Sequence, residues 1–197
     1  MKAVLLSIRP NWCKLIWSGM KAVEVRKIRP TLKTPFKVYI YCTGSNSWYM
    51  KLPKSGMKKM DGRVIGEFTC DKIERLTHVD SPSRLNIMTP DFWYKPADEL
   101  LQAACLTKAE AEKYLKGGDG YGWHIHDLKI YDRPRELDEF YRFNFCGMNG
   151  TGVCGNEGCK HYEPSGSYME PPTCAIDGCY LKRPPQSWCY VEELKCT

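Results

Sequence analysis

The stretch "GMKAVEVR", residues 19–26, is the one whose reading decides the fold. A glycine opens it and an alternating run follows, with Ala22, Glu24 and Arg26 on one face of a strand and Lys21, Val23 and Val25 on the other. Glu24 and Arg26 are therefore same-face neighbours, and Lys21 stands at the strand's entrance. Dispersed into solvent, three such charges contribute almost nothing net. Gathered in a cleft, they hold and act on a polar ligand.

Working outward, "KAVLLSI" before the motif reads as a buried strand ending at Ser7. "PNWCKLIWSG" reads as a short helix: Pro10 suits the first helical position, Trp12, Leu15 and Ile16 share a face, and Gly19 supplies a left-handed stop. After the motif, "FKVYIYCT" is another apolar strand. "KLPKSGMKKMDG" reads as a lysine-rich loop and "RVIGEFTCDKIERL" as one long strand, with Gly66 at a bulge or close approach. Residues 78–96 look irregular. "PADELLQAAC" and "TKAEAEKYLKGG" are helical, the second with a Thr107–Glu110 capping box and Gly117 as its stop. "YGWHIHDLKIYD" is a strand, "PRELDEFYRF" a turn of helix and "SWCYVEEL" a final strand. The order β-α-β-β-β-α-α-β-β predicts an α+β chain with a small mixed barrel, not an alternating parallel sheet.

The 197 residues are 43% hydrophobic and 26% charged, ordinary globular composition. The run "AVLLSI" is too short to span a bilayer and is cut off by Arg9-Pro10, so the expectation is a cytoplasmic monomer with no membrane contact. Charge is lopsided. Residues 1–60 hold thirteen Lys and Arg against the single acid Glu24, a local charge of +12, while the rest carries −6. A basic third on a neutral-to-acidic body suggests a surface facing a polyanion.

The segment "SIRPNWCKLIWSGMKAVEVRK" resembles the N-terminal signature of the ASCH domains, small members of the PUA-like superfamily. Their G-x-K-x-x-E-x-R pattern is matched by Gly19, Lys21, Glu24 and Arg26, and "GRVIGEF" and "YGWHIHDL" also look like ASCH strands. The resemblance implies a PUA-like mixed β-barrel flanked by short helices, formed by residues 1–143 plus 183–197, with 144–182 as a cysteine-rich insertion. It also implies a cleft lined by the Lys-Glu-Arg motif that binds RNA or a modified nucleotide or nucleoside. Some small ASCH proteins are amidohydrolases acting on an acetylated cytidine, and ribonuclease activity has been attributed to others. The amidohydrolases have Thr where this chain has Glu24, so the chain departs from the deacetylating pattern at that position.

The chemistry of the three side chains leaves recognition and hydrolysis both open. Arg26 offers a planar fork to a phosphate, carboxylate or base edge. Lys21 is a point charge, or a nucleophile or base if buried, and Glu24 accepts from an exocyclic amine or activates water. Lys21 and Glu24 are the candidate catalytic pair. Ser7 and Thr43 add hydroxyls at strand ends, and Trp123 and Trp188 are candidate stacking faces for a base. His124 and His126, two apart, read as ordinary histidines in preference to a metal pair.

The texture changes between Asn144 and Tyr180. "CGNEGC" and "CAIDGC" share the pattern Cys-x-x-acid-Gly-Cys, fourteen residues apart. Paired thiolates on two such turns suit structural zinc, with Cys154, Cys159, Cys174 and Cys179 as ligands and His161 and Cys146 as close substitutes. Reactive thiols or an iron–sulfur centre are the alternatives, and a protein-interaction adaptor gripping its partner through this knob is a third functional reading.

Overall fold

β1 (Lys2–Ile8) is buried along nearly its whole length and does not alternate, because it lies inside a sheet covered on both faces. It pairs in parallel with β3 (Phe36–Cys42) on one side, and antiparallel with β16 (Trp188–Glu192) on the other. The computed structural model describes residues 1–44, 48–79, 84–88, 93–142, 162–170, 173–174 and 179–194. Between β1 and β3 run α1 (Pro10–Trp17) and β2 (Val23–Arg26). Then come β4 (Tyr49–Leu52), β5 (Gly56–Lys59), β6 (Arg63–Cys70), β7 (Ile73–Val79), β8 (Arg84–Met88) and β9 (Tyr94–Pro96). Helices α2 (Asp98–Ala103) and α3 (Lys108–Leu115) precede β10 (Gly120–His124) and β11 (His126–Arg135). The short strands β12 (Tyr141–Arg142), β13 (Tyr162–Glu163), β14 (Thr173–Cys174) and β15 (Cys179–Tyr180) complete the chain before β16.

Two sheets carry the fold. The larger runs β11-β6-β3-β1-β16-β12-β15 and the smaller β2-β10-β7-β8-β9. One face of the larger sheet packs Val4, Leu6, Val38 and Ile40 against α1, the β4–β5 hairpin and Trp123 of the smaller sheet. Its opposite face packs Leu5, Tyr39 and Val191 around Phe140. The smaller sheet turns Val23, Val25 and Leu76 outward against α2 and α3.

The chain is mostly β with a few short helices, and the expected closed barrel is not formed among the described residues. Both sheets are open, and β2 is an edge strand. Where β2 would meet β1, a side chain spans the gap in place of a backbone ladder: Arg26 donates from Nη2 to the Ser7 carbonyl at 2.6 Å. Charged side chains need room that a hydrogen-bonded strand pair, under 5 Å apart, does not leave.

Other expectations change too. The long strand 63–76 is two strands, which switch sheets at Asp71-Lys72. The lysine-rich loop is the β4–β5 hairpin, residues 78–96 contribute β8 and β9, and the turn of helix after Pro134 shrinks to a 3-10 turn at Leu137–Glu139. The capping box of α3 is present, and the left-handed residue that ends the helix is Lys116 (φ 55°), with Gly117 following at φ 77°. The cysteine-rich insertion lies mostly outside the described residues. Among the described residues no helix is long and apolar enough to cross a membrane.

Candidate functional site

The seam between β2 and β1 opens into a cavity of about 490 Å³. Its floor is the 19–26 motif. Gly19, at φ +74°, ends α1 and turns the chain back toward the sheet. Three backbone bonds then fix the turn: Lys21 N–H donates to Leu15, Ala22 N–H to Ala103, and Ile125 N–H to the Ala22 carbonyl. Lys21 lies just before β2, so strand parity does not govern it, and its four-carbon stem carries the ammonium to the Glu24 side.

Lys21, Glu24 and Arg26 come together, and all three are buried, at 3%, 6% and 9% exposure. Glu24 Oε2 is 3.3 Å from Lys21 Nζ and its Oε1 is 3.0 Å from Arg26 Nη2. Lys21 also donates to the Ala104 carbonyl at the end of α2, 2.6 Å away. Two cations share one carboxylate, which leaves the buried cluster with a charge of +1 facing the cavity. Arg26 Nε has no hydrogen-bond partner among the described residues.

Ser7 and Thr43 also line the cavity. The Ser7 hydroxyl donates to the Pro185 carbonyl at 2.6 Å, which ties down the 185–187 segment as one wall. Thr43 is placed by its N–H, which donates to the Ile8 carbonyl. Trp123 and Trp188 lie elsewhere. Trp123 is fully buried, edge-on to Phe36 with centroids 5.9 Å apart and tilted against Trp188 at 6.0 Å. Trp188 donates its indole N–H to Ile28. Trp123 is a core side chain and Trp188 a partly buried one packed against that core, because β10 and β16 turn them into the space between the two sheets.

Two aromatics on the cavity wall take the place the sequence reading gave to those tryptophans. Trp12 lies on α1 beside its buried face, with Lys21 Nζ 4.8 Å from the ring centroid. Tyr114 reaches in from α3, as do Leu106 and Glu110 from its approach and first turn. Arg9, exposed at the mouth, and Gln186 and Ser187 complete the wall. Arg9 and Trp12 fall inside the stretch matched to the motif, so sequence carried a signal for them. Tyr114 and Gln186 arrive from distant elements, and no local pattern marks them.

Beneath the site, burial pushes the Cys13 thiol well up, helped by its contact with Cys42. Such a thiol is a core residue and not a nucleophile. His124 Nε2 donates to the Glu74 carboxylate at 2.7 Å, while His126 is exposed beside Asp127, so the two histidines do not form a pair. Among the described residues no group of three or more His, Cys, Asp or Glu could hold a metal. The four cysteines assigned to zinc lie outside that statement: Cys154 and Cys159 are not described, and of Cys174 and Cys179 only the backbone is.

No family model and no curated protein matches the chain. Among solved structures it is similar to the crystal structure of ASCH from Zymomonas mobilis, with a TM-score of 0.47 and 20% identity over 70% of this chain and 75% of that one. A point mutant of the same protein gives 0.45 and 19%, over 71% and 78%. These neighbours are ASCH structures. At this level the likeness transfers no residue role, and the chemistry of the cavity has to be read from its own geometry.

Proposed function

We propose that the cavity binds one nucleotide unit, of RNA or as a free modified nucleotide or nucleoside, through Lys21, Glu24 and Arg26. The observation that carries this reading is the buried cluster with its uncompensated positive charge beside an aromatic wall. Burying ions costs several kcal/mol each, about as much as their attraction returns, so stability alone is a weak reason to keep them. A base edge that carries an amine and a carbonyl on either side of a ring nitrogen, as cytosine does, matches the floor. Glu24 has lone pairs left to accept from the amine, while Lys21 and Arg26 donate to the carbonyl. Trp12 and Tyr114 supply apolar faces for the ring.

Titration calorimetry with CMP, UMP and AMP tests it. CMP is expected to bind in preference to UMP. Glu24→Gln should weaken CMP about tenfold or more, and Arg26→Lys, which keeps charge but loses the fork, should do the same. No binding by any of the three, or equal binding by both variants and wild type, would refute the reading.

A second reading rests on Lys21 and Glu24 meeting at 3.3 Å on the same floor. A lysine–carboxylate pair beside a bound amide or phosphodiester is a hydrolytic arrangement. Release of acetate from an acetylated cytidine, or cleavage of RNA, by wild type but not by Glu24→Gln supports it.

A further inference from the structure

The β4–β5 hairpin has two unlike faces. Its antiparallel register sets Tyr49 opposite Lys59 and Lys51 opposite Met57. Alternate residues of a strand share a face, so these four side chains lie together. All four are exposed, Tyr49 at 54% and Met57 at 63%. On the reverse face, Leu52 is 2% exposed and Met50 packs against the main core. The ribbon is thus anchored to the body by one side and shows solvent an aromatic, a thioether and two ammonium groups on the other.

Those charges are little used within the chain. Lys51 has no ion pair among the described residues, and Lys59 stands 3.8 Å from Asp61 at the hairpin's foot. Nearby, the tip residue Lys54 makes only an exposed contact with Asp132, at 3.6 Å. Exposed pairs of this length are worth little.

The ribbon also rises from the rim of the cavity. Thr43, on the cavity wall, directly follows β3, and the foot is closed by Met60 N–H donating to the Trp48 carbonyl and Gly62 N–H to the Cys42 carbonyl. Lys14 of α1, the helix that brings Trp12 to the cavity, places its ammonium 5.6 Å from the Trp48 ring centroid. Cations therefore continue from Arg9 at the mouth through Lys14 to the ribbon.

We infer that the outer face of the β4–β5 ribbon docks a single-stranded nucleic acid, one nucleotide of which occupies the cavity. The inference rests on the nucleotide reading of that cavity. Tyr49 offers a stacking face that accepts any base, and Lys51 and Lys59 take flanking phosphates, the combination that holds single strands without reading their sequence. The +12 charge of residues 1–60 makes the partner a polyanion. Four side chains with one aromatic are too little apolar surface for a membrane anchor.

Fluorescence anisotropy with single strands of about 12 nucleotides, as RNA and as DNA, and with a duplex of the same length, tests this at graded salt. The triple variant Tyr49→Ala, Lys51→Ala, Lys59→Ala should weaken single-strand binding about tenfold or more and reduce the log–log salt slope by about 1.4, two phosphates' worth. Lys51→Arg with Lys59→Arg should keep both affinity and slope, and CMP binding should be unchanged in all ribbon variants. RNA and DNA bound alike means base and phosphate contacts suffice, whereas tighter RNA adds a sugar contact; either supports the docking surface. A triple variant that holds the single strand as wild type does, or a duplex bound as tightly as the single strand, overturns it. Wild type that binds the 12-mer through the ribbon but not CMP would remove the cavity reading and leave the ribbon. Equal thermal midpoints confirm that the exposed substitutions leave the fold intact.

Discussion

Glu24 is held between an ammonium and a guanidinium, while Glu74 meets three partners on the far side of the smaller sheet: Lys72 at 3.0 Å, Lys95 at 3.1 Å and His124 at 2.7 Å. Burial pushes the Glu74 carboxyl up, but hydrogen bonds from Lys72, His124 and Lys95 outweigh it and bring the pKa from 4.5 down to about 2. The unfolded chain takes up this proton near pH 4.5 and the folded chain only near pH 2. The stabilisation is therefore complete above about pH 5, shrinks as the pH falls, and is gone below about pH 2. Because Lys72 and Lys95 are half-exposed and solvent screens them, Glu74→Gln should remove about 1–2 kcal/mol of that acid sensitivity, read as a flatter urea-midpoint profile between about pH 5 and 2. An unchanged profile would show that the cluster does not form. At this scale the sequence located Glu24 and Arg26 on one strand face and Lys21 at the strand's entrance, because alternation and a glycine stop act over a few residues; that Lys21 turns to the Glu24 side was settled by its place outside the strand. It misplaced Trp123 and Trp188, since whether an indole faces a cleft or a core depends on what packs over its strand.

Among the elements, Gly66 has the sharpest requirement. A Cβ there would lie 2.5 Å from the Lys129 carbonyl oxygen and 3.1 Å from Ile130 Cδ1, where β6 pairs with β11. The obstacle is backbone, so the strands must separate to admit it. Gly66→Ala is expected to cost about 1–3 kcal/mol, measured by urea unfolding, with the loss in the midpoint and not in the slope. Gly19→Ala, strained at φ +74° but with open space around it, should cost only about 1 kcal/mol. The close approach at Gly66 and both ends of α1 were legible in sequence, as was the capping box of α3. The β4–β5 hairpin was not. Its turn, Pro53-Lys54-Ser55, carries no two-residue hairpin signal, and lysines at alternate positions mask the strand pattern that the buried Leu52 reveals.

For the whole molecule, the open question of composition is the insertion. The repeated Cys-x-x-acid-Gly-Cys pattern predicts one zinc per chain on Cys154, Cys159, Cys174 and Cys179. Native mass spectrometry should show the chain with the mass of one zinc, lost on acidification, and Cys154→Ser with Cys174→Ser should abolish it. A metal-free wild-type mass would leave the cysteines as free thiols. By itself, the sequence determined which residues form most of the strands and helices, and put Glu24 and Arg26 on one face of the edge strand β2 with Lys21 just before it, because propensity, caps and alternation are local. Tertiary structure decided that the sheets stay open instead of closing into a barrel, and that the resulting seam becomes a cavity walled by Trp12, Tyr114 and Gln186. Strand pairing and the burial of charge are settled by what lies across space, and the cost of burying Lys21, Glu24 and Arg26 is met only by groups that the chain brings together on folding.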